Sequence, residues 1–168
     1  MTKGDKMQRY LLTVLLGATL LLTGPLAIAF TTVTVKATVL NPPSCVINSN
    51  QPIEVNFGDE VMTNKVDGKN YMQPVKYSLQ CTGGNTNALR LQIQGEPTGF
   101  NPAALATAQQ SNLGIELWAN TTRFPVNSWL NFTYPSAPVL QAVPVKKTGT
   151  TLAAGKFSAV ATLKIDVQ

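Results

Sequence analysis

The sequence predicts an all-β fold, and three observations predict it. No stretch after residue 30 sustains a 3.6-residue apolar period for three turns. Short β-rich runs recur instead, separated by turn residues. Two cysteines, Cys45 and Cys81, sit among those runs in a chain of 168 residues, the length of one domain. Several short strands and one candidate disulfide in a single domain suggest an immunoglobulin-like sandwich.

Taken in order, the chain opens on an address. Lys3, Lys6 and Arg9 precede an apolar run from Leu11 to Leu22, Gly24-Pro25 breaks any helix, and Ala27-Ile28-Ala29 offers small residues to a signal peptidase. The apolar run has about 12 residues where a membrane span needs ~20, which favours a cleaved leader over an anchor. Cleavage after Ala29 would leave Phe30–Gln168, 139 residues. The predicted organisation is a signal peptide over 1–29, an N-terminal extension over 30–43 and a folded domain over 44–168.

The extension alternates. Val33, Val35, Ala37 and Val39 are apolar, and Thr32, Thr34, Lys36 and Thr38 between them are polar. Side chains on a strand point to alternate faces, so this arm has one face to bury and one to wet. Asn41-Pro42-Pro43-Ser44 then cuts it from the body, because two prolines remove two backbone donors. Body strands are expected at Ile53–Phe57, Val75–Cys81, Leu89–Gln94, Ile115–Trp118, Leu130–Tyr134, Val139–Val145 and Phe157–Val167. Asn101 to Gln110 is Ala-rich and is expected to make one or two helical turns in a loop. The last strand alternates as the arm does: Phe157, Ala159, Ala161, Leu163, Ile165 and Val167 are apolar, and four of the five residues between are polar. In an exported chain, Cys45 and Cys81 most simply form one disulfide. Closing a loop of about 37 residues would contribute roughly 3.5–4 kcal/mol in the chain-entropy account.

Composition narrows the function. With no His, the chain lacks the commonest general base and cannot build a Ser-His-Asp or Cys-His triad. No metal or cofactor site is legible, and an enzyme is not expected. The formal charge of +5 includes +2 from the first nine residues, and the only adjacent basic pair is Lys146-Lys147. That patterning does not support nucleic-acid binding. Asp59-Glu60 has no ligand spacing around it and reads as a solvated turn. Trp118, Phe124, Trp129, Phe132 and Tyr134 could line a sugar site, although core packing is the commoner role for such side chains.

The order of short motifs resembles a family. An alternating arm is followed by Cys45-Val46-Ile47-Asn48, Ile53-Glu54-Val55-Asn56-Phe57-Gly58-Asp59 and Asp67-Gly68-Lys69-Asn70-Tyr71. Then come Val75 to Cys81, Leu113-Gly114-Ile115-Glu116-Leu117, and the closing Gly155 to Leu163. Together they resemble a pilin subunit of the chaperone–usher pathway, nearest the minor or tip-adaptor subunits of type 1-like and P-like fimbriae.

That resemblance implies an incomplete immunoglobulin-like sandwich lacking its final strand. The arm, through Val33, Val35, Ala37 and Val39, would act as donor strand for a neighbour's groove. Phe157, Ala159, Ala161, Leu163, Ile165 and Val167 would line the chain's own acceptor groove and chaperone-binding strand. The implied partners are a periplasmic pilus chaperone, an outer-membrane usher and neighbouring pilin subunits, with a tip adhesin as a further candidate. The implied destination is a surface fimbrium reached through the periplasm. Two positions depart from the family pattern: Ala37 where Gly is usual, and Val167 where Tyr is usual. The competing expectation is a free-standing secreted carbohydrate-binding sandwich.

Overall fold

A computed structural model describes residues 30–168; the predicted leader over 1–29 lies outside the described residues. The chain falls into two units, one ending at Thr38 and a body from Val39 to Gln168. Residues 30–38 carry no regular secondary structure, and each is exposed.

The body is built from eleven described strands. They are β1 (Ser44–Ile47), β2 (Gln73–Val75), β3 (Leu79–Thr82), β4 (Ala88–Gly95), β5 (Pro97–Thr98), β6 (Asn101–Ala106), β7 (Leu113–Ala119), β8 (Thr122–Arg123), β9 (Trp129–Thr133), β10 (Leu140–Lys146) and β11 (Ala161–Val167). Short 3-10 turns cover Asn48–Asn50 and Thr63–Lys65. The main sheet runs β2-β10-β7-β6-β5 with β8 on β7, a second runs β11-β4-β9, and β1 pairs β3 alone.

Alternation explains how the sheets stack. On β7, Ile115, Leu117 and Ala119 face one way, and on β10 Leu140 and Ala142 sit opposite Ala119 and Leu117 on that same face. They pack with Leu91 and Ile93 of β4, so the core lies between the main sheet and the β11-β4-β9 sheet. Cys45 lies opposite Cys81 in the β1–β3 ladder, and the two form a disulfide.

Several expected strands shift. The helical turn expected within Asn101–Gln110 is overturned: Asn101–Ala106 is β6, held by Leu105 opposite Ile115 and Ala106 opposite Gly114. Ladder bonds to β7 outweigh the weak helical bias of a short Ala-rich run. Val75–Cys81 divides into β2 and β3, which belong to different sheets. Ile53–Phe57 has no ladder partner among the described residues, and regular pairing of the last run begins at Ala161 rather than Phe157.

Where the body begins, Gly84 has a specific task. Its φ is +77°, and a Cβ there would lie 2.6 Å from the Pro43 nitrogen and 3.0 Å from the Asn41 carbonyl oxygen. Only glycine lets the β3–β4 turn meet the Pro-Pro segment so closely.

Candidate functional site

The site begins with the unequal edges of β11. One edge pairs with β4 along its length: Leu163 is opposite Ile93, Ile165 opposite Leu91 and Val167 opposite Leu89. Those three β4 residues are buried at 6%, 0% and 1% exposure, whereas Leu163, Ile165 and Val167 are only half-buried. All six side chains share one face, so the difference comes from what lies beside β11. Its other edge has no strand partner among the described residues. The side chains beside it have core on one flank and open space on the other.

Across that space runs the segment from β1 to Phe57. Cys45 and Ile47 line a small pocket of about 170 Å³ with Leu89, Ile165 and Val167. At the opposite end Phe57 packs on Phe157 with ring centroids 6.0 Å apart. Beside that pair Val55, Phe57, Val61, Leu113, Leu152 and Phe157 contribute to a pocket of about 690 Å³. Low numbers in one segment meet high numbers in the other at each end, so the two run antiparallel. Between them lies an apolar seam with no backbone ladder across it among the described residues.

The predicted groove residues can now be placed. Phe157, Ala159, Leu163 and Ile165 are half-buried and pack against the core, and Val167 joins the small pocket. Ala161 is exposed; it faces Gly95, and two such small residues cannot cover the seam at that point. Ser158, Val160, Thr162, Lys164 and Asp166 point outward and are exposed. The opposite wall (Ile47, Val55 and Phe57) was not among the expected groove residues. Its signal was the alternation of half-buried Ile53, Val55 and Phe57 with exposed Pro52, Glu54 and Asn56. In the arm, Val33, Val35 and Val39 are 79%, 85% and 89% exposed, and Ala37 is exposed too.

The strand beside the groove is tied at its outer face and its end. Arg90 donates from Nη2 to Asp166 Oδ2 at 2.7 Å and stacks over Trp129 at 4.5 Å. The Arg90 side chain and the Val167 amide both donate to Asp166, holding its carboxyl below the usual carboxylate range. Gln168 donates from Nε2 to the Leu89 and Phe132 carbonyls, fastening the end of β11 to β4 and β9. An apolar groove beside a strand edge that is unpaired among the described residues has the geometry to accept an extended segment by β-augmentation.

Comparisons with known proteins place the chain in a family and match its fold. The profile of the family described as "Fimbrial protein" matches residues 33–168. YfcR of Escherichia coli K12, described as an uncharacterised fimbrial-like protein, is 40% identical over 131 residues, covering 76% of this chain and 75% of its own length. YfcQ of the same strain, described likewise, is 36% identical over 142 residues, covering 81% and 86%. Among solved structures, the P pilus adaptor subunit PapF superposes with a TM-score of 0.57 at 23% identity, over 76% of this chain and 98% of PapF. At that identity the last match speaks for the fold.

Proposed function

Because this chain belongs to the fimbrial protein family, whose members are structural subunits rather than enzymes, we propose that it is a minor or tip-adaptor subunit that polymerises by donor-strand exchange. The observation carrying this reading is the seam beside β11, where Leu163, Ile165 and Val167 are half-covered opposite fully buried β4 partners. An exposed sheet edge next to uncovered apolar side chains is an aggregation hazard unless a dedicated partner fills it.

The groove (Phe157, Ala159, Ala161, Leu163, Ile165 and Val167) receives first a strand from a periplasmic pilus chaperone, then the arm of the next subunit at the outer-membrane usher. The chain's own arm, residues 30–43, offers Val33, Val35, Ala37 and Val39 to the preceding subunit's groove. Residues 1–29 direct export and are removed, residues 44–168 form the pilin domain, and the product is part of a surface fimbrium. The minor or tip-adaptor assignment rests on the order of motifs in the sequence.

A stability measurement tests the exchange. A strand that binds only the folded domain stabilises it by mass action. The mature chain expressed with a pilus chaperone should purify as a complex melting well above the chain expressed alone. A lone chain that melts cooperatively as a soluble monomer, unchanged by chaperone, would overturn the reading.

A further inference from the structure

From Thr32 to Leu40, and from Phe157 to Val167, the alternation of apolar and polar residues is broken once each. In the arm the exception is Leu40, which follows Val39 and is 46% exposed. Along the last strand it is Val160, which points outward with Ser158, Thr162, Lys164 and Asp166 and is 86% exposed. One exposed apolar side chain alone needs no explanation. Here there are two, one on each kind of strand that the exchange would pair.

The direction of pairing comes from the root of the arm. Pro42 and Pro43 line the small pocket with Ile165 and Val167, so the body's own arm departs at that end of the groove. In a linear fibre the neighbour enters from the Phe157 end, and its arm runs antiparallel to β11. Both apolar faces must turn to the core, so registers differ only in steps of two residues.

One register pairs the two exceptions. An arm patterned like this one, with Leu40 opposite Val160, sets Val39 opposite Ala161 and Ala37 opposite Leu163. Val35 then meets Ile165 and Val33 meets Val167, so the arm's apolar face follows that of β11 along the β4 ladder. Val39 falls where cover is missing, since Ala161 is exposed and faces Gly95. A shift of two residues one way sets Ala37 against Ala161 and Thr38 against Val160. A shift the other way sets Pro42 against Val160, and proline has no amide to donate.

This register has one fault for the chain's own arm. Lys36 falls opposite Lys164, and like charges directly opposite on paired strands are destabilising. Lys164 is exposed and has no salt-bridge partner among the described residues. Its ladder partner is neutral Gln92, and the nearby Asp166 carboxylate is taken by Arg90 at 2.7 Å.

We propose that the groove also reads the outward face of the incoming strand. Its occupant is the arm of a different subunit, with a large aliphatic side chain opposite Val160 and an acidic one opposite Lys164. The inference rests on β11 bordering an acceptor groove. The chain's own arm meets the first condition and fails the second, so copies of this chain do not favour one another as neighbours.

The test uses the mature chain in its chaperone complex, with synthetic peptides of arm residues 30–41 as probes. At low salt the Lys36→Glu peptide should be retained about fivefold more tightly than the unaltered peptide, roughly 1 kcal/mol. The gap should close at about 1 M salt. Lys164→Glu in the chain, at an exposed side chain, should reverse the order of the two peptides. Register is read separately from affinity: a Leu40→Cys peptide should cross-link to Val160→Cys in preference to Ser158→Cys or Thr162→Cys. Equal retention of the two peptides, an order that survives Lys164→Glu, or preferential cross-linking at Ser158 or Thr162 would overturn the proposal and leave the groove standing. Entry of neither peptide would overturn both.

Discussion

Asn41 and Asn85 hold each other by two hydrogen bonds. The Asn41 amide donates to Asn85 Oδ1 at 2.9 Å, and the Asn85 amide donates to the Asn41 carbonyl at 3.0 Å. This reciprocal clasp sits beside Gly84, where the turn after β3 touches Pro43. It fixes the point from which the body starts, immediately after the alternating segment. Pro42 and Pro43 then line the small pocket with Ile165 and Val167, so the clasp also borders one end of the groove.

Replacing Gly84 should therefore cost more than replacing Asn85. Gly84→Ala puts a methyl group against backbone at a positive φ, and backbone cannot rotate aside as a side chain can; a loss of roughly 2 kcal/mol or more is expected. Asn85→Ala removes one exposed acceptor, a loss of about 1 kcal/mol or less. Thermal unfolding of the two variants in the same complex checks the order. Equal shifts would mean that the close approach is not maintained in solution.

Arg90 and Asp166 give a dependence on acid. The folded-state pKa of Asp166 lies below its ordinary 3.8, first because Arg90 donates to it and then because the Val167 amide does. The sign follows: the contribution is present above 3.8 and is lost as pH falls through the lower folded value. Asp166→Asn should flatten the acid limb of stability below about pH 4 and change little at neutral pH, since an exposed pair contributes little. Urea midpoints across that range, for both proteins, are the measurement.

Tyr77 acts at the other extreme. Burial raises its pKa from 10.0 to about 12, and its hydroxyl donates to the Pro138 carbonyl at 2.7 Å. A raised folded value means that the contribution is intact below pH 10 and is lost as pH climbs through about 12. Tyr77→Phe should lower stability at neutral pH through the lost hydrogen bond while removing part of the alkaline decline. A decline of unchanged steepness between pH 10 and 12 would show that Tyr77 titrates normally.

How much of this was legible depended on periodicity. The alternation of Phe157 to Val167 identified a strand with one apolar face, because period-2 patterning needs no knowledge of neighbours. Its opposite wall was harder to read. Ile53–Phe57 looks like an ordinary strand in sequence, and only the tertiary arrangement shows that it forms no ladder among the described residues. The Ala-rich run from Asn101 to Gln110 misled because propensity is local and the pairing that overrode it, with Ile115 and Gly114, is not. Glu116 was visible as one acid among several. Its burial depends on Asn101, on the Asp67-Gly68 turn and on Arg123, none of which its own strand pattern reveals.

The arm separates giving a strand from receiving one. Val33, Val35 and Val39 fall on one face of an extended chain, and Thr34 and Lys36 on the other. If that apolar face enters a neighbour's groove, a charge at Val35 must be buried unpaired on docking, which costs several kcal/mol or more. A charge at Thr34 stays hydrated and should be nearly neutral. Val35→Asp should thus block incorporation of this chain into a preceding subunit, and Thr34→Asp should not. Groove and arm are different segments, so the Val35→Asp protein should still form its chaperone complex and still accept an incoming arm. Strand exchange in both directions between purified chaperone complexes reads each half separately. Should the two substitutions behave alike, or should Val35→Asp also abolish chaperone binding, the arm would be an ordinary part of this domain's own sheet. The open seam beside β11 would then need a different occupant.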